Sequence, residues 1–193
     1  MNASIVAQHA DLLDRIQAQQ ALIARLSWNP TLNMYRPAGF EMTVEALSCD
    51  TTYTVVLCDI DKMKAINEAT GCHMQTDRYL AAGLQVRDGE IAGQVHDKGD
   101  EFAFVIAETS RGVESDANAF VARVARQLAG QPLTISERYA LAAAHGCSVE
   151  AVRLSATFST MSGVRAGDVM DAIEWLSSDV LRLKAERDEK VTI

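Results

Sequence analysis

Residues 3–27 contain no glycine or proline, and Ile5, His9, Leu12, Ile16, Gln19, Ile23 and Leu26 follow an alternation of four and three. That spacing predicts one helix carrying a heptad seam of about three heptads. His9 and Gln19 weaken the seam but suit a role in setting its register. Two readings are open: self-association through this helix, or a helix packed on its own domain. Pro30 and Pro37 end the pattern. The chain therefore divides into an N-terminal helix, residues 1–28, and a domain, residues 29–193.

Thr52 to Cys58 is a β-branched run that leads into Asp59-Ile60-Asp61. It predicts a buried strand with carboxylates at its C-terminal end. Lys62 to Ala69 predicts a short helix, closed by Gly71, and Asp77 to Val86 a second. Glu90 to His96 and Glu101 to Ala107 predict two strands joined by the turn Asp97-Lys98-Gly99-Asp100, where Gly99 suits a positive φ. Residues 114–129 predict an amphipathic helix with Phe120, Val121, Val124 and Leu128 on one side. Val152 to Thr160 predicts a strand and Ala166 to Glu189 a long final helix; residues 133–150 show no readable pattern. This βααββαβα order predicts an α+β domain with helices on one face of a mainly antiparallel sheet.

Composition narrows the function. Hydrophobic residues make up 48% and charged residues 23%, which is globular rather than disordered. The net charge of −8 disfavours nucleic acid and anionic membrane surfaces as partners. A nucleotide remains compatible when a divalent cation mediates the contact. The four cysteines, Cys49, Cys58, Cys72 and Cys147, show no CxxC spacing, so no zinc site is expected, and Cys58 reads as a small buried hydrophobe. No leader pattern or apolar run of roughly 20 residues is evident, and the expected location is the cytoplasm. His9 and His145 read as surface or interface residues, and Trp28 and Trp175 as packing residues.

Two acidic clusters remain, Asp59-Ile60-Asp61 at a strand end and Asp100-Glu101 beside a hairpin turn. If those strands are neighbours, the carboxylates converge and repel one another unless a cation lies between them. Hard oxygen ligands suit Mg²⁺, which takes a few carboxylates and completes its shell with phosphates. Each cluster alone is weak: Asp-x-Asp is frequent, and an Asp-Glu pair in a turn is usually solvated.

Read together, the clusters resemble a known family. Asp59-Ile-Asp-Lys-Met-Lys64-Ala-Ile-Asn67-Glu, after an apolar strand, resembles the DxDxFKxxND segment of GGDEF domains. Lys98-Gly99-Asp100-Glu101-Phe102 resembles GGDEF itself, followed by the apolar Ala103-Phe-Val-Ile. Asn29 to Glu41 resembles the family's DxLTGLxNRxxFE, and Leu176 to Lys184 its closing helix ADxALYxAK. The resemblance implies a ferredoxin-like, palm-type antiparallel sheet and an enzyme, a diguanylate cyclase condensing two GTP into cyclic di-GMP as a dimer. It implies Mg²⁺ or Mn²⁺ held by Asp59, the Ile60 carbonyl and Asp100. Asp100 and Glu101 fall on catalytic positions, Asn67 and Asp77 on guanine-reading positions, and Lys64, Lys98, Gly99 and Lys184 on the phosphate-binding side. Phe102 falls in the core.

Several positions depart from the family's pattern. Lys98 replaces its first glycine, His96 its arginine and Met63 its phenylalanine, and Arg187-Asp188 stands for the closing Gly-Arg. The RxxD inhibitory motif is absent from its expected place, Gly89 to Ala92, while Arg87 to Glu90 is similar but out of register. No product inhibition through that motif is expected. The alternatives to a cyclase are a catalytically silent domain that binds GTP or another nucleotide and regulates through partners, and a structural dimerisation module.

Overall fold

The computed structural model describes residues 12–13, 15–20, 22–23, 26–70, 73–96, 99–108 and 113–191. Of the heptad positions, Ile5 and His9 lie outside the described residues. Leu12, Ile16, Ile23 and Leu26 are exposed, as are Leu13 and Leu22. Residues 15–20 are helical and all exposed.

Two short strands, Trp28–Asn29 (β1) and Met34–Tyr35 (β2), open the domain and pair antiparallel. Asn29 closes the turn between them, its Oδ1 accepting from the backbone N–H of Thr31 at 3.1 Å and of Leu32 at 3.2 Å. Pro37 then begins a helix, Pro37–Glu45 (α1), at a position where a missing N–H costs nothing. There follow Thr52–Ile60 (β3), Met63–Thr70 (α2), His73–Gly83 (α3), Glu90–Gln94 (β4) and Glu101–Ala107 (β5). The chain continues as Val113–Ala129 (α4), Ile135–His145 (α5), Ala156–Arg165 (β6), a 3₁₀ turn over Ala166–Asp168, and Val169–Val191 (α6).

The six strands form one sheet in the order β1-β2-β4-β5-β3-β6. Only β2 and β4 run parallel. β3 lies between β5 and β6 and is buried at every residue after Thr52. A strand buried on both faces reads as a continuous apolar run, and both faces need cover. Val56, Cys58 and Ile60 enter one core with Ile66, Leu80, Phe102, Phe104, Phe120 and Leu141. Tyr53, Val55 and Leu57 enter a second core with Phe40, Ala103, Val105, Ile173, Leu176 and Val180. The expectation of helices on one face is therefore corrected: α2 to α5 cover one side, α1 and α6 the other.

The segment without a readable pattern holds α5. Its start is a capping box, with Glu137 N–H donating to Thr134 Oγ1 at 3.4 Å and Thr134 N–H to Glu137 Oε2 at 2.6 Å. Its end is Gly146 in the left-handed conformation, φ 64°. β6 begins at Ala156 rather than Val152 and runs on to Arg165; Val152 and Leu154 are buried ahead of it. α3 starts at His73, before Asp77. Phe102 and Cys58 are fully buried, as expected. Trp28 packs edge-on against Tyr35, ring centroids 4.9 Å apart. Trp175, by contrast, is 56% exposed and is not a packing residue of this domain. Gly93 marks a close approach, since a Cβ there would lie 2.3 Å from the Phe40 ring.

Candidate functional site

β3 and β5 are paired so that Asp59 stands opposite Glu101. Past that pair, Ile60 N–H donates to the Asp100 carbonyl at 3.1 Å, carrying the ladder into the turn. On its other side β3 pairs with β6, placing Asp59 opposite Thr157. Lys62, φ 55°, turns the chain out of β3 and into α2. One end of the sheet thus gathers Asp59, Ile60, Asp61, Asp100 and Glu101, as the two acidic clusters required.

α6 runs across this end and supplies the counter-groups. Ser177, Lys184 and Arg187 are spaced to lie broadly on one helix face. Ser177 Oγ donates to the Glu101 carboxylate, 3.0 Å from one oxygen and 3.1 Å from the other. The Lys184 ammonium is ion-paired with Asp59 Oδ1 and lies 3.4 Å from the Ile60 carbonyl oxygen and 4.0 Å from Asp61 Oδ1. Arg187 pairs with Asp61 Oδ2 at 2.8 Å and donates to Thr157 Oγ1 at 3.1 Å. Asp61 also accepts from Ser155 Oγ at 2.7 Å and Thr157 Oγ1 at 2.8 Å. His96 Nε2 lies 3.3 Å from Glu101 Oε2.

Burial is the largest influence on Asp59 and pushes its carboxyl up. The hydrogen bond and charge of Lys184 oppose that, while Asp100 and Glu101 add to it. The result is a value near 6 in place of 3.8. Beside it, burial and then Asp59 and Asp61 push the Cys58 thiol well above its ordinary range, so it is an inert core residue.

The other sequence-predicted residues are distributed around this cluster. Asn67 lies on α2 and Asp77 on α3, both half-buried. Lys64, also on α2, is highly exposed and 3.7 Å from Glu68. Gly99 donates its N–H to the His96 carbonyl at 3.3 Å. Lys98 lies outside the described residues. Sequence reading missed Ser155, Thr157 and Ser177. Only Ser177 carried a signal, its place two helical turns before Lys184.

Arg87 and Glu90, the out-of-register motif, line an open cavity of about 390 Å³ with Ile106, Phe120, Arg123 and Arg126. Arg123 is committed there, pairing with Glu90 at 2.5 Å and donating to the Gln85 carbonyl at 2.7 Å.

Among the described residues, no helix is long and apolar enough to cross a membrane. No family model and no curated protein matches the sequence. Solved structures do match. The diguanylate cyclase SiaD of Pseudomonas aeruginosa, in complex with its activator SiaC, aligns at a TM-score of 0.60 and 15% identity, over 95% of this chain and 68% of that one. The GGDEF domain of DgcB from Caulobacter crescentus, in complex with c-di-GMP, aligns at 0.56 and 18%, over 83% of this chain and 88% of that one. A sensory box/GGDEF family protein from Caulobacter crescentus aligns at 0.58 and 18%, over 83% and 99%. At these identities the likeness is one of fold, and the chain folds as GGDEF domains do.

Proposed function

We propose that this chain is a diguanylate cyclase, condensing two GTP into cyclic di-GMP as a dimer with Mg²⁺ or Mn²⁺. The observation that carries this reading is the pairing of Asp59 with Glu101 across β3 and β5, which gathers buried carboxylates at one end of the sheet. Compared structures of the same fold include one in complex with c-di-GMP and one described as a diguanylate cyclase, which supports the reading.

In the reaction, the 3′-hydroxyl of each GTP attacks the α-phosphate of the other, forming a phosphodiester bond and expelling pyrophosphate. Asp59, the Ile60 carbonyl and Asp100 are the oxygens that would hold the cation. They fit a positive charge, because the Lys184 ammonium already sits against two of them. When bound, the cation lowers the pKa of the attacking hydroxyl and offsets charge at the α-phosphate. Among the described residues, no three acidic, histidine or cysteine side chains gather closely enough to hold an ion alone, and phosphate oxygens of the nucleotide would complete its shell.

Glu101, steadied by Ser177 and His96, flanks the reacting groups. Asn67 and Asp77 read the guanine edge, their oxygens accepting from its N–H groups. Lys64, Lys98, Gly99 and Lys184 serve the phosphates. Positioning of the two nucleotides supplies much of the acceleration. Pairing of two domains is supported by the exposed Leu12, Ile16, Ile23 and Leu26 of the leading helix. The chemistry is that of a cytoplasmic signalling enzyme.

One observation favours the alternative, a silent nucleotide-binding domain: Arg187 is committed to Asp61 at 2.8 Å, leaving the family's last phosphate contact unfilled. The deciding experiment is incubation of the purified chain with GTP and Mg²⁺, products separated by chromatography, with Asp100→Ala alongside. Cyclic di-GMP from the parent and none from the variant is the expected result. A folded, dimeric parent that makes no product moves the function to the silent reading.

A further inference from the structure

α6 places a cation of the chain's own where the proposed metal would sit. The Lys184 ammonium contacts Asp59 Oδ1 and lies 3.4 Å from the Ile60 carbonyl oxygen, two of the three oxygens assigned to the ion. Two positive charges cannot share those oxygens without strong repulsion at such separations. Asp61 is no substitute ligand: Ser155, Thr157 and Arg187 occupy both its oxygens. The helix itself is anchored on either side of Lys184, by Ser177 on Glu101 and by Arg187 on Asp61 and Thr157. The Lys184 side chain keeps 21% exposure, so its flexible stem has an open side on which to turn while α6 stays in place.

We propose that Lys184 is a resident cation that is exchanged for the divalent ion, rather than a residue waiting free for phosphate. In the metal-free protein its ammonium neutralises Asp59 and keeps the Ile60 carbonyl in place. On exchange it swings out, and the triphosphate arriving with the ion offers it a second anionic partner. This inference rests on the metal role given above to Asp59 and Ile60. Its consequence is that ion and nucleotide assist each other through one side chain. The ion alone must displace Lys184 without compensation, and by linkage each ligand raises the affinity of the other by the same factor.

The test is direct binding of Mn²⁺, followed by the electron paramagnetic resonance of the free ion, to the full chain without nucleotide. Parent, Lys184→Met, Lys184→Gln and Asp59→Asn are compared, with circular dichroism confirming fold. Both Lys184 variants should bind Mn²⁺ about tenfold tighter than the parent or better, a typical coupling between sites. Asp59→Asn should bind far more weakly. Unchanged or weaker binding by both folded Lys184 variants, with Asp59→Asn still impaired, overturns the exchange and leaves the metal site standing. Binding that ignores Asp59→Asn, or none in any protein, removes the metal site and the exchange with it.

Discussion

Two buried carboxylates, Glu137 at the start of α5 and Asp59 at the end of β3, have opposite surroundings. Glu137 is fully buried, and its Oε2 accepts from the Tyr79 hydroxyl at 2.7 Å and the Thr134 N–H at 2.6 Å. Burial pushes its carboxyl up, but those donors outweigh burial and leave it below its ordinary value. Asp59 has a cation, yet also Asp100 and Glu101 nearby, and burial prevails. Burial alone therefore does not mark a functional acid. The structural carboxylate has donors on one oxygen, Oε2, whereas the one suited to bind a cation is set among its like.

The sharpest way to break this comparison is to neutralise each acid in turn. Asp59→Asn should lower cyclic di-GMP formation by roughly a thousandfold or more, as expected for loss of a group that stabilises transition-state charge through its ligand. Glu137→Gln should leave the turnover of the folded protein close to the parent's. Chromatographic assay of both variants checks the pair, and the reverse ranking would remove the distinction.

Stability should rank them the other way. Glu137→Ala deprives the buried Tyr79 hydroxyl and the half-buried Thr134 N–H of their acceptor. It should cost about 2–4 kcal/mol in urea unfolding, the scale of leaving buried donors unmet while opening a cavity.

The pH dependence of stability separates the two further. Asp59 binds its proton more tightly folded than unfolded, so its contribution is full below 3.8 and is lost as pH rises to about 6. Glu137 is shifted downward from 4.5, so its contribution is present above that value and is lost on acidification through its folded value. Thermal unfolding across this range should show Asp59→Asn without the loss on rising pH and Glu137→Gln without the acid loss.

The smallest effect expected is at the arginine-lined cavity. With Arg123 already paired to Glu90 and the family's inhibitory motif out of register, added cyclic di-GMP should change the initial rate by less than about twofold. A marked fall in rate on titration would show that this cavity takes the product.

Much of this was legible in the chain. β5 runs over Glu101–Ala107, as the apolar run predicts, and β3 extends the predicted Thr52 to Cys58 run through the acidic pair. The α5 helix was not read, although Thr134, Glu137 and Gly146 are proper start and stop signals. Its apolar residues are mostly alanines, and of the larger ones Ile135 and Tyr139 are exposed and only Leu141 is buried, so no periodic stripe marks the helix. Trp175 differs for another reason: a large aromatic suggests packing, but on α6 it stays 56% exposed, lining an open cavity beside Met161 to Arg165 of β6.

By itself the sequence determined four of the six strands, their order along the chain and the carboxylates at the ends of β3 and β5, because β-branched runs and turn residues act through neighbours along the chain; the two-residue β1 and β2 carry no such run. The tertiary structure alone decided which cation each carboxylate takes. Lys184 lies 125 residues from Asp59, and its partner is chosen by how α6 crosses the sheet. That crossing is set by the packing of Val169, Ile173, Leu176 and Val180 on the face of β3 that carries Val55 and Leu57; the stripe is legible in the helix's spacing, but the face it packs on is not.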